Sequence, residues 1–307
     1  MLEKKITLER RNEIEPYLSA CRHETSGLSF TSLYMWRDAN EFEYEICGDY
    51  LCISAVSYLK SEDYAYFMMP PLPLSGRYEP DTLASCIYAM KERFEKAGSE
   101  FSLRLVPEDI KSEIEKAVPE IKWMDDRPNY DYVYDRKEIE ELRGKKFHAK
   151  KNYVNSFKKN YSYIYEEIHN DMADEIQLFI DRFTAEKEFE DEEDKKTLLM
   201  EEESTFDVFK NFDEAGFIGG AIRVDGELKA ISVCGRLSDD TVVEHIEKAD
   251  RNLRGLYPTI LNEMVKHLPE EIEYVNREED MGIENLRKAK LSFKPVRLIE
   301  KYIGKFD

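Results

Sequence analysis

The chain has 307 residues, a formal net charge of −20, 42% hydrophobic and 12% aromatic residues. That apolar content is enough for packed cores and excludes a wholly disordered chain, and the length reads as two domains of roughly 150 residues. The longest apolar stretches, such as Phe217 to Ile222, fall far short of the ~20 residues of a membrane helix. The N-terminal text alternates in charge and has no signal-peptide core, so a cytoplasmic protein without membrane insertion is expected. Cys21, Cys47, Cys52, Cys86 and Cys234 are scattered and form no Cys-x-x-Cys pair, and no histidines lie at i, i+4. Neither a disulfide framework nor a bound metal is expected.

Taken in chain order, Glu43 to Ile46 and Tyr50 to Val56 read as strands joined by a Gly48-Asp49 turn, with Tyr64 to Met69 as a third strand. Asp81 caps a helix carrying Leu83, Ile87, Met90 and Phe94, and Gly98 closes it. Phe101 to Val106 is a strand, Glu108 to Ala117 a helix and Asp131 to Tyr134 a strand. The second half begins with a strand from Tyr161 to Ile168, a helix striped by Ile176, Phe179, Ile180 and Phe183, and a helix through Leu198 to Phe209. Phe217 to Val224 and Leu228 to Arg236 form a hairpin around Asp225-Gly226, followed by a strand from Thr241 to Lys248. A helix then starts near Pro258, Ile272 to Val275 is a strand, Ile283 to Lys290 a helix, and Val296 to Tyr302 a last strand. Both halves share a meander, helix, strand, helix, strand series, which predicts a duplicated α+β fold with mixed sheets. The expected boundaries are an N-terminal lobe over 1–135 that shapes an acceptor cleft or serves as scaffold, a basic connecting helix over 136–160, and a C-terminal lobe over 161–307 carrying the transfer site.

Charge is uneven along this acidic chain. From Leu142 to Tyr165, Arg143, Lys145, Lys146, Lys150, Lys151, Lys158 and Lys159 meet no acid, and Arg287, Lys288, Lys290, Lys294, Arg297, Lys301 and Lys305 meet only Glu300. Between these segments Glu186 to Glu203 is densely acidic and reads as a solvated helical face. The second half's element order resembles the GCN5-related N-acetyltransferase fold, in which a donor pyrophosphate lies at the helix N-terminus after the central strand. Unpaired N–H groups and the helix dipole stabilise an anion there. In this chain that place is Arg251-Asn-Leu-Arg254-Gly255-Leu-Tyr257-Pro, with Gly255 permitting close backbone approach, although the spacing departs from the acetyltransferase consensus. Strict alternation along Thr241 to Lys248 puts Val243, His245 and Glu247 on one face and Glu244, Ile246 and Lys248 on the other. Glu247 or His245 is the expected base, and Lys248 the expected stabiliser of developing negative charge. Asn276, Arg277 and Asp280, after the following strand, are expected to line the cleft, though Asp280 also reads as a plain helix cap.

Longer strings carry a family likeness. Phe30-Thr-Ser-Leu-Tyr-Met-Trp36, Leu142-Arg-Gly-Lys-Lys-Phe-His-Ala-Lys-Lys-Asn-Tyr-Val-Asn-Ser-Phe157, Glu244-His-Ile-Glu-Lys-Ala249, Arg254-Gly-Leu-Tyr257 and Tyr274-Val-Asn-Arg-Glu-Glu-Asp-Met-Gly282 onward resemble a bacterial family related to the C-terminal domain of phosphatidylglycerol lysyltransferases. The resemblance implies two tandem acyl-CoA N-acyltransferase (GNAT-like) lobes, akin to Fem-type transferases that take aminoacyl groups from charged tRNA. On that basis Arg251, Arg254, Gly255 and Tyr257 would hold donor phosphate, and Lys150, Lys151, Arg287 and Lys290 would extend the basic surface. The donor would be acyl-CoA or aminoacyl-tRNA, used as substrate, with no permanently bound cofactor. A noncatalytic phosphate-ligand or RNA-binding module, and an interaction protein using its acidic face, stay open beside the enzyme.

Overall fold

Two-residue Gly-Asp and Asp-Gly loops close hairpins where the sequence places them. Tyr50 stands opposite Cys47 across Gly48 and Asp49, and Glu227 opposite Val224 across Asp225 and Gly226. Asp225 and Gly226 take φ of 53° and 83°, the left-handed pair a type I′ turn requires. The computed structural model describes residues 2–57, 65–185 and 205–306. Its strands are β1 (Lys4–Lys5), β2 (Glu43–Cys47), β3 (Tyr50–Ser57), β4 (Ala65–Met68), β5 (Leu72–Pro73), β6 (Ser102–Pro107), β7 (Lys122–Asp125), β8 (Asp131–Asp135), β9 (Tyr163–Glu167), β10 (Phe217–Val224), β11 (Glu227–Arg236), β12 (Thr241–Ala249), β13 (Tyr274–Asn276), β14 (Arg297–Ile299) and β15 (Lys301–Lys305). The α-helices used below are α1 (Arg11–Ala20), α2 (Phe30–Met35), α3 (Pro80–Lys96), α4 (Glu108–Ala117), α5 (Arg136–Glu141), α6 (His148–Asn160), α7 (Ala173–Ala185), α8 (Phe212–Ala215), α9 (Leu256–His267) and α10 (Glu284–Ser292). Residues 205–210 are also helical. The acidic stretch from Glu186 to Glu203, and the start of the helix expected from Leu198, lie outside the described residues.

The chain divides into two compact units. Unit 1 comprises Met1–Asp131, Glu279–Gly282 and Ile299–Asp307, and unit 2 comprises Tyr132–Glu278 and Ile283–Leu298. Unit 1 is built on a sheet ordered β1-β2-β3-β4-β6-β15-β7, with β5 added on β3. The single last strand expected from Val296 to Tyr302 is in fact two. β14 belongs to the other sheet, and β15 enters the first between β6 and β7, antiparallel to both. Buried electrostatics fix that insertion. Lys301, 2% exposed, donates to Asp131 Oδ1 at 2.6 Å, and Asp131 also accepts from the Ser26 N–H at 2.7 Å and the Ser26 hydroxyl at 2.9 Å. A lysine at the end of a strand reads from sequence as solvated surface, which is why this pairing was not legible there.

His23 follows α1 in unit 1, 4% exposed, and neither ring nitrogen has a hydrogen-bond partner among the described residues. Burial pushes its pKa down to about 4, against the opposing pull of Asp109. The unfolded chain therefore takes up a proton first as pH falls. The stability due to a neutral His23 is present above about pH 6.5 and is lost between there and about pH 4. We expect His23→Phe to remove up to roughly 3 kcal/mol of acid sensitivity over that window, read as a flatter midpoint in urea titrations at successive pH values. An unchanged acid limb would show that His23 does not titrate with unfolding.

In unit 2 the sheet order is β14-β8-β13-β12-β11-β10-β9. Helix α9 lays Leu261, Met264, Val265 and Leu268 on Tyr132, Tyr134, Val242 and Val275, while Leu256 and Ile260 pack with Phe157, Ile222 and Ala230. This face, about 25 cal/mol per Å² of apolar area removed from water, positions β12 and β13. Their ladder is parallel and short, Thr241 to Val243 against Tyr274 to Asn276. Among the described residues, β12 from Glu244 onward has a strand partner only on the β11 side. The candidate site lies at this divergence.

Candidate functional site

β12 does not alternate evenly. Val233 of β11 stands opposite Ile246 and Cys234 opposite Glu244, so His245 is an extra residue, a β-bulge. The bulge resets the period of two, and Glu244 and Glu247 turn to the same partner. The Arg277 Nε donates to Glu244, and its Nη2 to Glu247 Oε2 at 2.5 Å. Ser232 of β11 donates to the other Glu244 oxygen at 2.9 Å. The expected faces, with Glu244 and Glu247 on opposite sides, are thereby corrected.

Two carboxyls, 3% and 14% exposed, share one guanidinium. Burial drives the Glu247 carboxyl up, Arg277 pulls it down and Glu244 pushes it up again, with a net rise to about 8. Like charges in a dry site cannot both ionise cheaply, so one proton of the pair stays on near neutral pH. Burial works against the charge of Arg277, yet Glu244 and Glu247 outweigh it and hold its pKa above the ordinary value. The Arg277 guanidinium also lies 5.2 Å from the Phe293 ring and 5.7 Å from the Tyr134 ring. Stacked and doubly paired, it anchors carboxylates rather than clamping a phosphate.

The chain after β13 is locked locally. Asn276, fully buried, accepts from the Glu278 N–H at 2.8 Å, and Glu278 takes a left-handed φ of 54°. Lys290 of α10 donates to the Arg277 carbonyl and to the Glu278 carbonyl at 3.4 Å, so it caps this turn instead of widening a basic surface. A positive φ outside glycine costs on the order of 1–3 kcal/mol and persists only where the surroundings impose it. Glu278 in turn binds His245 Nδ1 at 2.9 Å, and the His245 side chain exposes no surface. His245 thus positions the turn and lies too deep to meet an acceptor. Asp280 falls in unit 1, where its carboxylate accepts from Arg127 at 3.2 Å and from the Gly282 N–H at 2.9 Å. Of the expected trio, Asn276 and Arg277 belong to unit 2 and Asp280 to unit 1.

The residues expected to hold donor phosphate separate into two groups. Arg251, exposed, lies 5.5 Å from the Phe183 ring of α7, as does, at 5.3 Å, the buried Lys248 expected to stabilise developing negative charge, and the Tyr257 phenol meets the Ala249 backbone and Arg251. Arg254 is exposed and lies 5.3 Å from the Tyr153 ring of α6. Gly255, at φ +93°, caps α9, and a Cβ there would lie 2.5 Å from the Tyr153 carbonyl oxygen. The close approach that this glycine permits is therefore made by α6 itself. Leu256 N–H already donates to the Leu253 carbonyl at 3.0 Å, and Thr259 N–H to the Gly255 carbonyl at 3.2 Å. Lys151 is exposed on the outer face of α6, Arg287 is half-buried on α10, and Lys150 turns inward onto Phe293. Glu244, Ser232, Tyr134 and Phe293 were missed as site residues, because only the bulge and the stacking against Arg277 gather them. Among the described residues no cluster of three or more His, Cys, Asp or Glu could hold a metal ion.

Comparison with known proteins agrees with the fold. A protein of unknown function from Bacteroides thetaiotaomicron VPI-5482 superposes with a TM-score of 0.85 at 29% identity, covering all of both chains. L-PGS from Bacillus licheniformis gives 0.65 at 10% identity, over 99% of this chain and 93% of that one. FemX gives 0.56 at 9% identity, over 100% and 98%. The expected tandem N-acyltransferase-like α+β fold is thereby shown. No curated protein matches the sequence. The sequence profile described as "Phosphatidylglycerol lysyltransferase, C-terminal" matches residues 19–305, nearly the whole chain, and the protein belongs to that family.

Proposed function

We propose that unit 2 transfers an acyl or aminoacyl group from a phosphate-bearing donor, acyl-CoA or aminoacyl-tRNA, to an amine or hydroxyl acceptor by direct attack. The observation that carries this reading is a carboxyl of raised pKa, Glu247, set where β12 loses its neighbour β13 and beside a stacked guanidinium. A base of pKa near the working pH combines a usable ionised fraction with real basicity. Glu247 takes the acceptor's proton as nitrogen or oxygen attacks the carbonyl carbon. Main-chain N–H groups of β12 beyond Val243 are the oxyanion donors this mechanism needs. The exposed cations Lys151, Arg251 and Arg254 receive donor phosphates at the surface. Family membership and the acyltransferase-like fold support the same class.

The test is a donor panel. Acetyl-CoA, longer acyl-CoA species and alanyl- and lysyl-tRNA are incubated with the protein and mixed amine and hydroxyl acceptors, and acylated products are read by mass spectrometry. Product from either donor class supports the reading. If tRNA is the donor, its affinity should fall steeply and log-linearly with salt, because phosphate contacts release counterions. Absence of acyl transfer from every donor would remove the proposal.

A further inference from the structure

The cluster holds one more cation, and its situation differs from its neighbours'. Arg277 gives its donors to Glu244 and Glu247, and Lys290 gives its to two main-chain carbonyls. Lys150, on α6, makes no hydrogen bond or ion pair among the described residues. Its ammonium rests 4.0 Å from the Phe293 ring centre, the same ring that Arg277 faces at 5.2 Å. The inward direction follows from helix periodicity. Phe147, Lys150, Val154 and Phe157 recur at spacings of three and four, and the three apolar members are buried, whereas Lys151 points outward. A half-buried ammonium with no anion bonded to it among the described residues, under the influence of a Glu247 already committed to Arg277, is a place prepared for negative charge that arrives with a ligand.

We propose that Lys150 is the general acid of the transfer, handing a proton from its ammonium to the oxygen or sulfur that leaves the donor. This rests on the transferase reading above. In the step, the acceptor nitrogen forms a bond to the donor carbonyl carbon and the carbon–oxygen or carbon–sulfur bond breaks. The proton lost by the nitrogen goes to Glu247, and the leaving atom takes one from Lys150. The products are an amide, a free alcohol or thiol, a neutral Glu247 and a neutral Lys150. Return of the proton from Glu247 to Lys150, directly or through water, restores both groups. The environment favours that return. Burial, and then Arg277, lower the pKa of Lys150, with Glu247 opposing, while Glu247 itself is raised. Acid and base are thus brought toward each other in strength, and neither traps the proton.

Two donors differing in leaving group separate this role from plain charge. Alanyl-CoA releases a thiol, whose thiolate is stable enough to leave before it takes the proton, so the rate of its departure does not depend on that transfer. 3′-O-Alanyl-adenosine releases a ribose hydroxyl, whose alkoxide needs a proton. With lysinamide as acceptor, Lys150→Met is expected to lower kcat on the ester by about 100-fold or more and to leave the thioester within about threefold. Lys150→Arg, which keeps the charge but holds its proton far more tightly, should fail on the ester as Met does. Glu247→Gln should lose rate on both donors. Equal losses on the two donors, or recovery of the ester rate by Arg, would overturn the acid role and leave the transferase standing. Wild-type protein that consumes neither donor would remove the transferase reading and this role with it. Unchanged circular dichroism of the Lys150 variants guards against a folding artefact.

Discussion

Replacing Arg277 with methionine is expected to destabilise unit 2 by about 3–5 kcal/mol, the cost of leaving buried charge without its partner. The reason lies in the geometry of the pair. Glu244 is 3% exposed and Glu247 14%, and both accept from the same guanidinium, which offsets the one negative charge that the pair keeps near neutral pH. Without it the remaining carboxylate must also take up a proton or the strand must open to water. Methionine keeps most of the stem that faces Tyr134 and Phe293, so the loss reports charge more than packing. Both tryptophans, Trp36 and Trp123, lie in unit 1, so the effect is best read by hydrogen exchange along β12. Adding Glu244→Gln and Glu247→Gln should recover most of the stability, because removing every charge of a buried network is far cheaper than removing one. A loss below about 1 kcal/mol, or no recovery in the triple variant, would show that the cluster is hydrated and the carboxyls ordinary.

Why this cluster could not be read from the sequence is instructive. Both hairpins were legible because Gly48-Asp49 and Asp225-Gly226 carry their turn chemistry locally, and α4 begins and ends at Glu108 and Ala117 as its spacing predicts. The bulge at His245 has no such local mark. It arises from register against β11, and one inserted residue turns an expected separation of Glu244 and Glu247 into a meeting. Helix α1 was missed because Pro16 inside it reads as a breaker. β7 was missed because its residues, Lys122 to Asp125, are mostly exposed at a sheet edge and show no apolar alternation. The basic segment of α6 was visible as charge, yet charge alone did not separate Lys150 from Lys151. The apolar stripe through Phe147, Val154 and Phe157 already did, and the inward position of Lys150 follows from it. Arg277 was expected to line the cleft, and the sequence shows a cation after a strand but not the carboxylates it will meet.

Glu247→Gln should lower transfer by about 10²- to 10⁴-fold with donor affinity retained, the usual contribution of a positioned base. Its pH signature is the sharper test. With burial and Glu244 outweighing Arg277, the wild-type carboxyl titrates near 8. The rate should therefore climb as pH rises toward about 8 and level off above it, while the residual rate of the glutamine variant stays flat. Stability must move the other way. A carboxyl whose pKa rises from 4.5 unfolded to about 8 folded contributes stability that is complete at low pH and is lost between those two values. Glutamine cannot ionise, so the variant should be more stable than wild type above about pH 8 and should lose the descending limb of stability against pH. A residue kept only for structure would lose stability when altered, whereas one kept for chemistry at the expense of the fold gains it. Glu247→Gln that is both inactive and more stable at alkaline pH would place Glu247 in the second class. Unchanged turnover, or a pH–rate profile identical to wild type, would move the base elsewhere and reduce Glu247 to a partner of Arg277.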